Sequence, residues 1–334
     1  MTPRFTLQTT TTIKGYPMTF MTIFLQMLTL CIPIVGGIVA ARAGFLDQKM
    51  NTALTRLVMN ITLPCMVVAS VGANETLPET PVLLTLLAAS IIGYAIAAII
   101  AFMVTALMRT PATERSAWHF SITFGNVGFI GYPALSAIFG PQAVLYAAIA
   151  NIPFNLFNFS IGAAMVKAGA QDAQEQRNHT LGERLRELAR DAANPTFFAS
   201  FILLALVLLG IHDLGILGDG LTTIGNFTTP AVLLMLGSTL ASYNAREMLG
   251  NWRAYVTGAA RLLLVPCAIL LILGGFVTDP LARGVLVVGS AMPAASNGVL
   301  FSLLYGVDPK PMMQANFVTI VASILTIPLI ALMV

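Results

Sequence analysis

A chain of 334 residues with 57% hydrophobic and 9% charged side chains cannot cover its surface for water, because soluble domains carry about a quarter charged residues. The bilayer must be its main solvent, and a formal net charge of +3 leaves no footprint for nucleic acid. At about 20 apolar residues per span, this length holds roughly ten spans with short loops.

Residues 1–17 are polar and threonine-rich (Thr9 to Thr12) and lack the apolar run and cleavage site of a signal peptide, so a disordered N-terminal tail is expected. Apolar segments follow near 20–41, 50–71, 81–107, 118–139, 143–166, 196–211, 216–241, 254–276, 281–305 and 311–333. The loops after spans 1, 3, 5, 7 and 9 collect Arg42, Lys49, Arg109, Arg115, Lys167, Arg177, Arg184, Arg186, Arg190, Arg246, Arg253 and Lys310. The loops after spans 2, 4 and 6 carry no Lys or Arg, and the loop after span 8 carries only Arg283. By the positive-inside rule the odd loops are cytoplasmic and both termini extracytoplasmic, in a multi-pass protein of the bacterial inner membrane. Arg4 and Lys14 in the tail pull weakly the other way.

The longest loop, 168–194, is then a cytoplasmic linker. Leu181, Leu185 and Leu188 share one helical face, which suits a short surface helix as well as a solvated linker. Asn194-Pro195 reads as a helix cap followed by proline at the first helical position. Cys31, Cys65 and Cys267 all lie in apolar runs with no metal-ligand spacing, so they read as small packing residues and no metal or other cofactor is expected.

A shift of 166 residues lays Asn60-Ile-Thr62-Leu-Pro64 on Asn226-Phe-Thr228-Thr-Pro230, and Gly140 on Gly306. Five spans per half is an odd number, so the second half enters from the opposite side. The predicted architecture is all-α: ten transmembrane helices as two inverted five-helix repeats, 18–167 and 195–334, as in many secondary transporters.

Spans 4 and 9 are poor continuous helices. Span 4 holds Asn126, Gly128, Gly131 and Pro133, and span 9 holds Gly289, Pro293, Ser296, Asn297 and Gly298. Breaks at matched places in two halves point to a substrate site. They free backbone groups that hydrocarbon cannot satisfy, and helix N-termini attract anions. Asn126 and Asn297 can donate to a carboxylate or to the freed backbone. Plain Gly/Pro kinks with no ligand are the competing reading. Asn60, Thr62, Pro64, Asn226, Thr228 and Pro230 form a second polar, helix-breaking set, suited to joining helices or to supplying oxygens to the site.

All 14 Asp and Glu fall in loops or at span ends, so no mid-span carboxylate is available as a proton relay. Arg261, about two turns into span 8, is expected to snorkel to the interface, with attraction of an anion as the alternative. His119 is read as an interfacial histidine and Asp308 as a cap for span 10. No metalloprotease, hydrolase-elbow or Walker signature is present, which argues against an enzyme.

Asn126-Val-Gly-Phe-Ile-Gly-Tyr-Pro133 resembles the Asn-x-Gly-Phe-x-Gly-x-Pro stretch of the auxin efflux carrier family, as do Asn226-Phe-Thr-Thr-Pro230, Met292-Pro293 and Tyr305-Gly-Val-Asp308. The resemblance runs from about residue 20 to the end. It covers prokaryotic malonate and malate transporters and plant auxin exporters, although the long plant central loop is missing here. It implies a bile acid symporter-like fold in which broken helices 4 and 9 cross, placing Asn126, Pro133, Pro293 and Asn297 at the crossover. The expected function is secondary transport of a small organic anion by alternating access, malonate-, malate- or auxin-like. Sodium or a proton is the candidate coupling ion, and a homodimer is left open. The alternative is a membrane sensor that binds ligand without moving it; an intramembrane enzyme lacks its catalytic residues.

Overall fold

The computed structural model describes residues 12–13, 16–17, 20–74, 76–169 and 195–334. Most of the expected N-terminal tail, the surface helix around Leu185 and the Asn194 cap lie outside the described residues. Apart from two paired two-residue strands, Thr12–Ile13 and Tyr16–Pro17, every element is helical. In chain order these are α1 (Phe20–Arg42), α2 (Gln48–Ala73), α3 (Thr80–Leu107), α4 (Ala112–Thr123), α5 (Val127–Phe139) and α6 (Ala143–Lys167). They continue with α7 (Pro195–Leu208), α8 (Gly215–Ser242), α9 (Trp252–Leu273), α10 (Pro280–Ser290), α11 (Asn297–Leu304) and α12 (Lys310–Ala331). Seven of these helices are long and apolar enough to cross a membrane. The other three expected spans are the short α7 and the two interrupted pairs, α4–α5 and α10–α11. Leu107, Ile216 and Leu271 are exposed at 86%, 91% and 85%, an apolar coat suited to lipid.

Proline shapes several rods from within. Pro64, Pro133 and Pro266 each sit two residues after a π-helical turn, at Val58–Thr62, Val127–Gly131 and Ala260–Leu264. A proline ring offers no N–H to the carbonyl four residues back and collides with it. Widening the preceding turn relieves the collision and keeps the rod continuous. Asp279 accepts from Ala282 N at 2.7 Å with Pro280 at the first helical position, an N-cap that opens α10. Gly140 and Gly306 end α5 and α11 with φ of 90° and 68°, a backbone that side chains with a Cβ rarely adopt.

Packing divides the rods into two groups. α1 and α2 pack on α8, and α2 also packs on α7, while α3, α4, α6, α9, α10 and α12 pack among themselves. α1 bridges the groups through α5 and α12. The α1–α8 seam is a backbone contact: Gly37 lies against the carbonyl of Leu234, and Gly237 against that of Ile34. Between α2 and α8, Thr228 Oγ1 donates to Thr62 Oγ1 at 2.9 Å with both side chains buried. A double-mutant cycle of Thr62→Val and Thr228→Val, read by thermal unfolding in detergent, is expected to give a coupling of about 0.6 kcal/mol. Additive losses would show that the two hydroxyls act independently.

Candidate functional site

The breaks in spans 4 and 9 are hydrogen-bonded to each other. Asn126 N donates to Pro293 O at 2.7 Å and Ala295 N donates to Phe124 O at 2.9 Å, with Gly125 and Ala294 forming one antiparallel bridge. Ala294 N donates to Thr319 Oγ1 of α12 at 3.1 Å. Several backbone groups that hydrocarbon would leave unpaired are thus satisfied within the protein. Pro293 has no N–H, so at this place it can only accept, and Asn126 N is its donor.

The sequence-predicted residues distribute unevenly around this joint. Asn126 is buried and caps α5, accepting from Phe129 N at 3.1 Å through Oδ1 and donating to Ser296 Oγ at 3.1 Å through Nδ2. Asn126, Pro293 and Ser296 therefore meet directly. Asn297 opens α11 beside them, and its buried Oδ1 has no hydrogen-bond partner among the described residues. Gly128 lies in the first turn of α5, and Pro133 is buried one turn further on. The second set is elsewhere. Asn60 is exposed and donates to Arg56 O of its own helix at 2.7 Å, Asn226 and Pro230 are exposed, and Pro64 is half-buried in α2. Only Thr62 and Thr228 of that set link helices.

Arg261 does not snorkel. It is 2% exposed, and its guanidinium lies beneath the joint. Nε donates to Met292 O at 3.0 Å, and Nη1 to Ile122 O and Thr123 O, each at 3.2 Å. The π-helical turn Ala260–Leu264 carries it. Gly125 leaves room for it: a Cβ at that position would sit 1.8 Å from Nη2. No Asp or Glu is buried among the described residues, so the guanidinium faces carbonyl oxygens and no carboxylate.

Arg261 also lines a cavity between α3, α6, α9 and α10, whose other polar lining comes from Ser90, Tyr94, Thr123 and Ser290. The hydroxyls of Ser90 and Ser290 donate to their own helices, to Leu86 O at 2.8 Å and Val287 O at 2.6 Å. Thr123 Oγ1 is buried with no partner among the described residues. A separate apolar cavity has Pro293 and Ile130 in its wall, with α1, α8 and α12 opposite. Reading the sequence missed Thr123 and Tyr94, which look like ordinary membrane-helix residues. Arg261 did carry a signal, a lone charge inside an apolar span. His119 Nε2 lies against Thr105 Oγ1; Asp308 accepts from Lys310 N at 2.9 Å, but the N-cap position of α12 is Pro309, so Asp308 sits one residue before the cap expected of it.

Comparison with known proteins finds membrane transporters. A family model described as membrane transport protein matches residues 22–331. An uncharacterized transporter of Methanothermobacter thermautotrophicus is 21% identical over 305 residues, covering 91% of this chain and 95% of its own. One from Methanocaldococcus jannaschii is 20% identical over 309 residues, covering 91% and 96%. With interrupted helices paired at their breaks and a family match over nearly its whole length, the chain belongs to the membrane transport protein family, that of the auxin efflux carriers.

Proposed function

We propose that this transporter is a secondary carrier of small organic anions, mono- or dicarboxylates, working by alternating access with the anion held at the paired breaks. The observation that carries the reading is the sign of the buried charge. Arg261 lies beside the joint and lines a cavity, with no buried carboxylate among the described residues to cancel it. In a medium of low dielectric a fixed cation attracts an anion strongly and repels another cation. Asn126, Ser296 and Asn297 are the donors proposed to bind the anion, helped by the N-terminal ends of α5 and α11. Gly128, Pro133 and Pro293 shape the breaks around it. The hydroxyl of Thr123 is a further donor from the cavity side.

The architecture in this proposal is ten spans in two inverted repeats. Thr62 and Thr228, 166 residues apart, touch each other, as equivalent residues near a two-fold axis do. α1 packs on α8 as α7 packs on α2, which are the repeat-related pairs. Gly140 and Gly306 share a positive φ. In this reading α1, α2, α7 and α8 are the scaffold, the remaining helices move, and both termini are extracytoplasmic. An inside-negative potential drives a monoanion outward by about 2.3 kcal/mol per 100 mV, so uncoupled transport favours efflux.

The test is flux of labelled mono- and dicarboxylates in proteoliposomes, alongside thermal shift with the same compounds. Saturable flux of at least one acid is the expected result. Stabilisation by an acid that never crosses would replace the carrier reading with that of a ligand sensor.

A further inference from the structure

Two helix ends meet under the joint. α4 ends at Thr123 and α10 at Ser290, so carbonyls of their last turns lack intrahelical partners and carry the negative end of each helix dipole. Ile122 O and Thr123 O from the first and Met292 O from just beyond the second converge on one guanidinium. In carriers built from broken helices, carbonyls at half-helix C-terminal ends are the groups that coordinate a coupling cation. Here a side chain already occupies that place. Gly125 admits it, and among the described residues no buried acid competes for it.

We propose that Arg261 is a tethered cation: the three carbonyls form a monovalent-cation site that the chain fills with its own guanidinium. A soluble cation would bind and leave with each cycle and make formation of the joint depend on its concentration. A covalently attached one keeps the site filled at any salt composition. Arginine suits the task because its planar fork reaches carbonyls on two helices at once while its charge stays fixed. Sodium therefore has no vacancy at this joint, and it does not drive this carrier through it.

The experiment is thermal unfolding of the purified full-length protein in detergent, in sodium, potassium, low-millimolar guanidinium or choline chloride at constant ionic strength. Its readout is stability, so it is independent of the anion the carrier moves. The Tm of the parent protein is expected to be the same in sodium and choline. Arg261→Ala is expected to melt lower in choline and to recover by about 5 °C when sodium or guanidinium reaches ~100-fold its Kd. If Arg261→Ala cannot be extracted folded in choline, extraction in sodium or guanidinium is the same test. Recovery in either of those salts alone supports the proposal, and failure in every salt overturns it. A parent protein stabilised by sodium, or an Arg261→Ala protein indifferent to every cation, also overturns it.

Discussion

Gly237→Ala is expected to lower thermal stability far more than one added methyl group ordinarily does. A Cβ at Gly237 would lie 1.9 Å from Ile34 O and 2.8 Å from Ile34 C, and a Cβ at Gly37 would lie 2.0 Å from Leu234 O. These neighbours are backbone, so no rotamer change relieves them, and α1 and α8 must move apart along the whole seam. The expected loss is at or above the top of the range for overpacking, about 3 kcal/mol. Gly37→Ala should match it, and the double variant should lose little more, because a seam opened once is open for both. Gly36→Ala is the control: it is one residue away and exposed, and its Cβ would meet only Leu234 Cδ2 at 3.5 Å. Thermal unfolding of the four proteins in detergent measures all of this. A Gly237→Ala protein as stable as Gly36→Ala would mean that the two helices are not in backbone contact.

Asn126→Ala and Asn297→Ala are each expected to reduce transport about 10- to 100-fold, the effect of losing a hydrogen bond of about 1.5–3 kcal/mol to a charged ligand. Their stabilities should separate. Asn126 caps α5 and ties it to Ser296, so its loss should cost about 1 kcal/mol of stability. Asn297 Oδ1 is buried without a partner among the described residues, so removing it should leave stability unchanged or raised. Flux per folded carrier and the melting temperature of each variant supply the two readouts. A fall in transport without a fall in stability at Asn297 identifies a group kept for ligand rather than for fold. Parental transport by both variants would move the substrate site away from the joint.

Several features were legible because they depend on local chemistry. Apolar runs set the rods. Pro64 and Pro133, both singled out as helix-breaking, follow disturbed turns, since the clash lies within the helix's own backbone. The interruptions after Thr123 and after Ser290 fall inside the two segments whose Gly, Pro and Asn content weakens a helix. The charge census, with every acid at an edge, needed only the order of residues.

Rotation about the helix axis was not legible, because a π-helical turn shifts all later residues around the rod by an amount that composition does not encode. Arg261, about two turns into its span, points inward to three carbonyls. Asn60 faces outward while Thr62, two residues on and so on the opposite side of the rod, meets Thr228. The sequence by itself determined the rods, their breaks and the placement of the acids in loops or at span ends. Tertiary structure alone decided that the two breaks bond to each other and that one guanidinium fills the space beneath them. Such pairings join residues from about thirty to well over a hundred positions apart, so packing selects them and no local preference specifies them in advance.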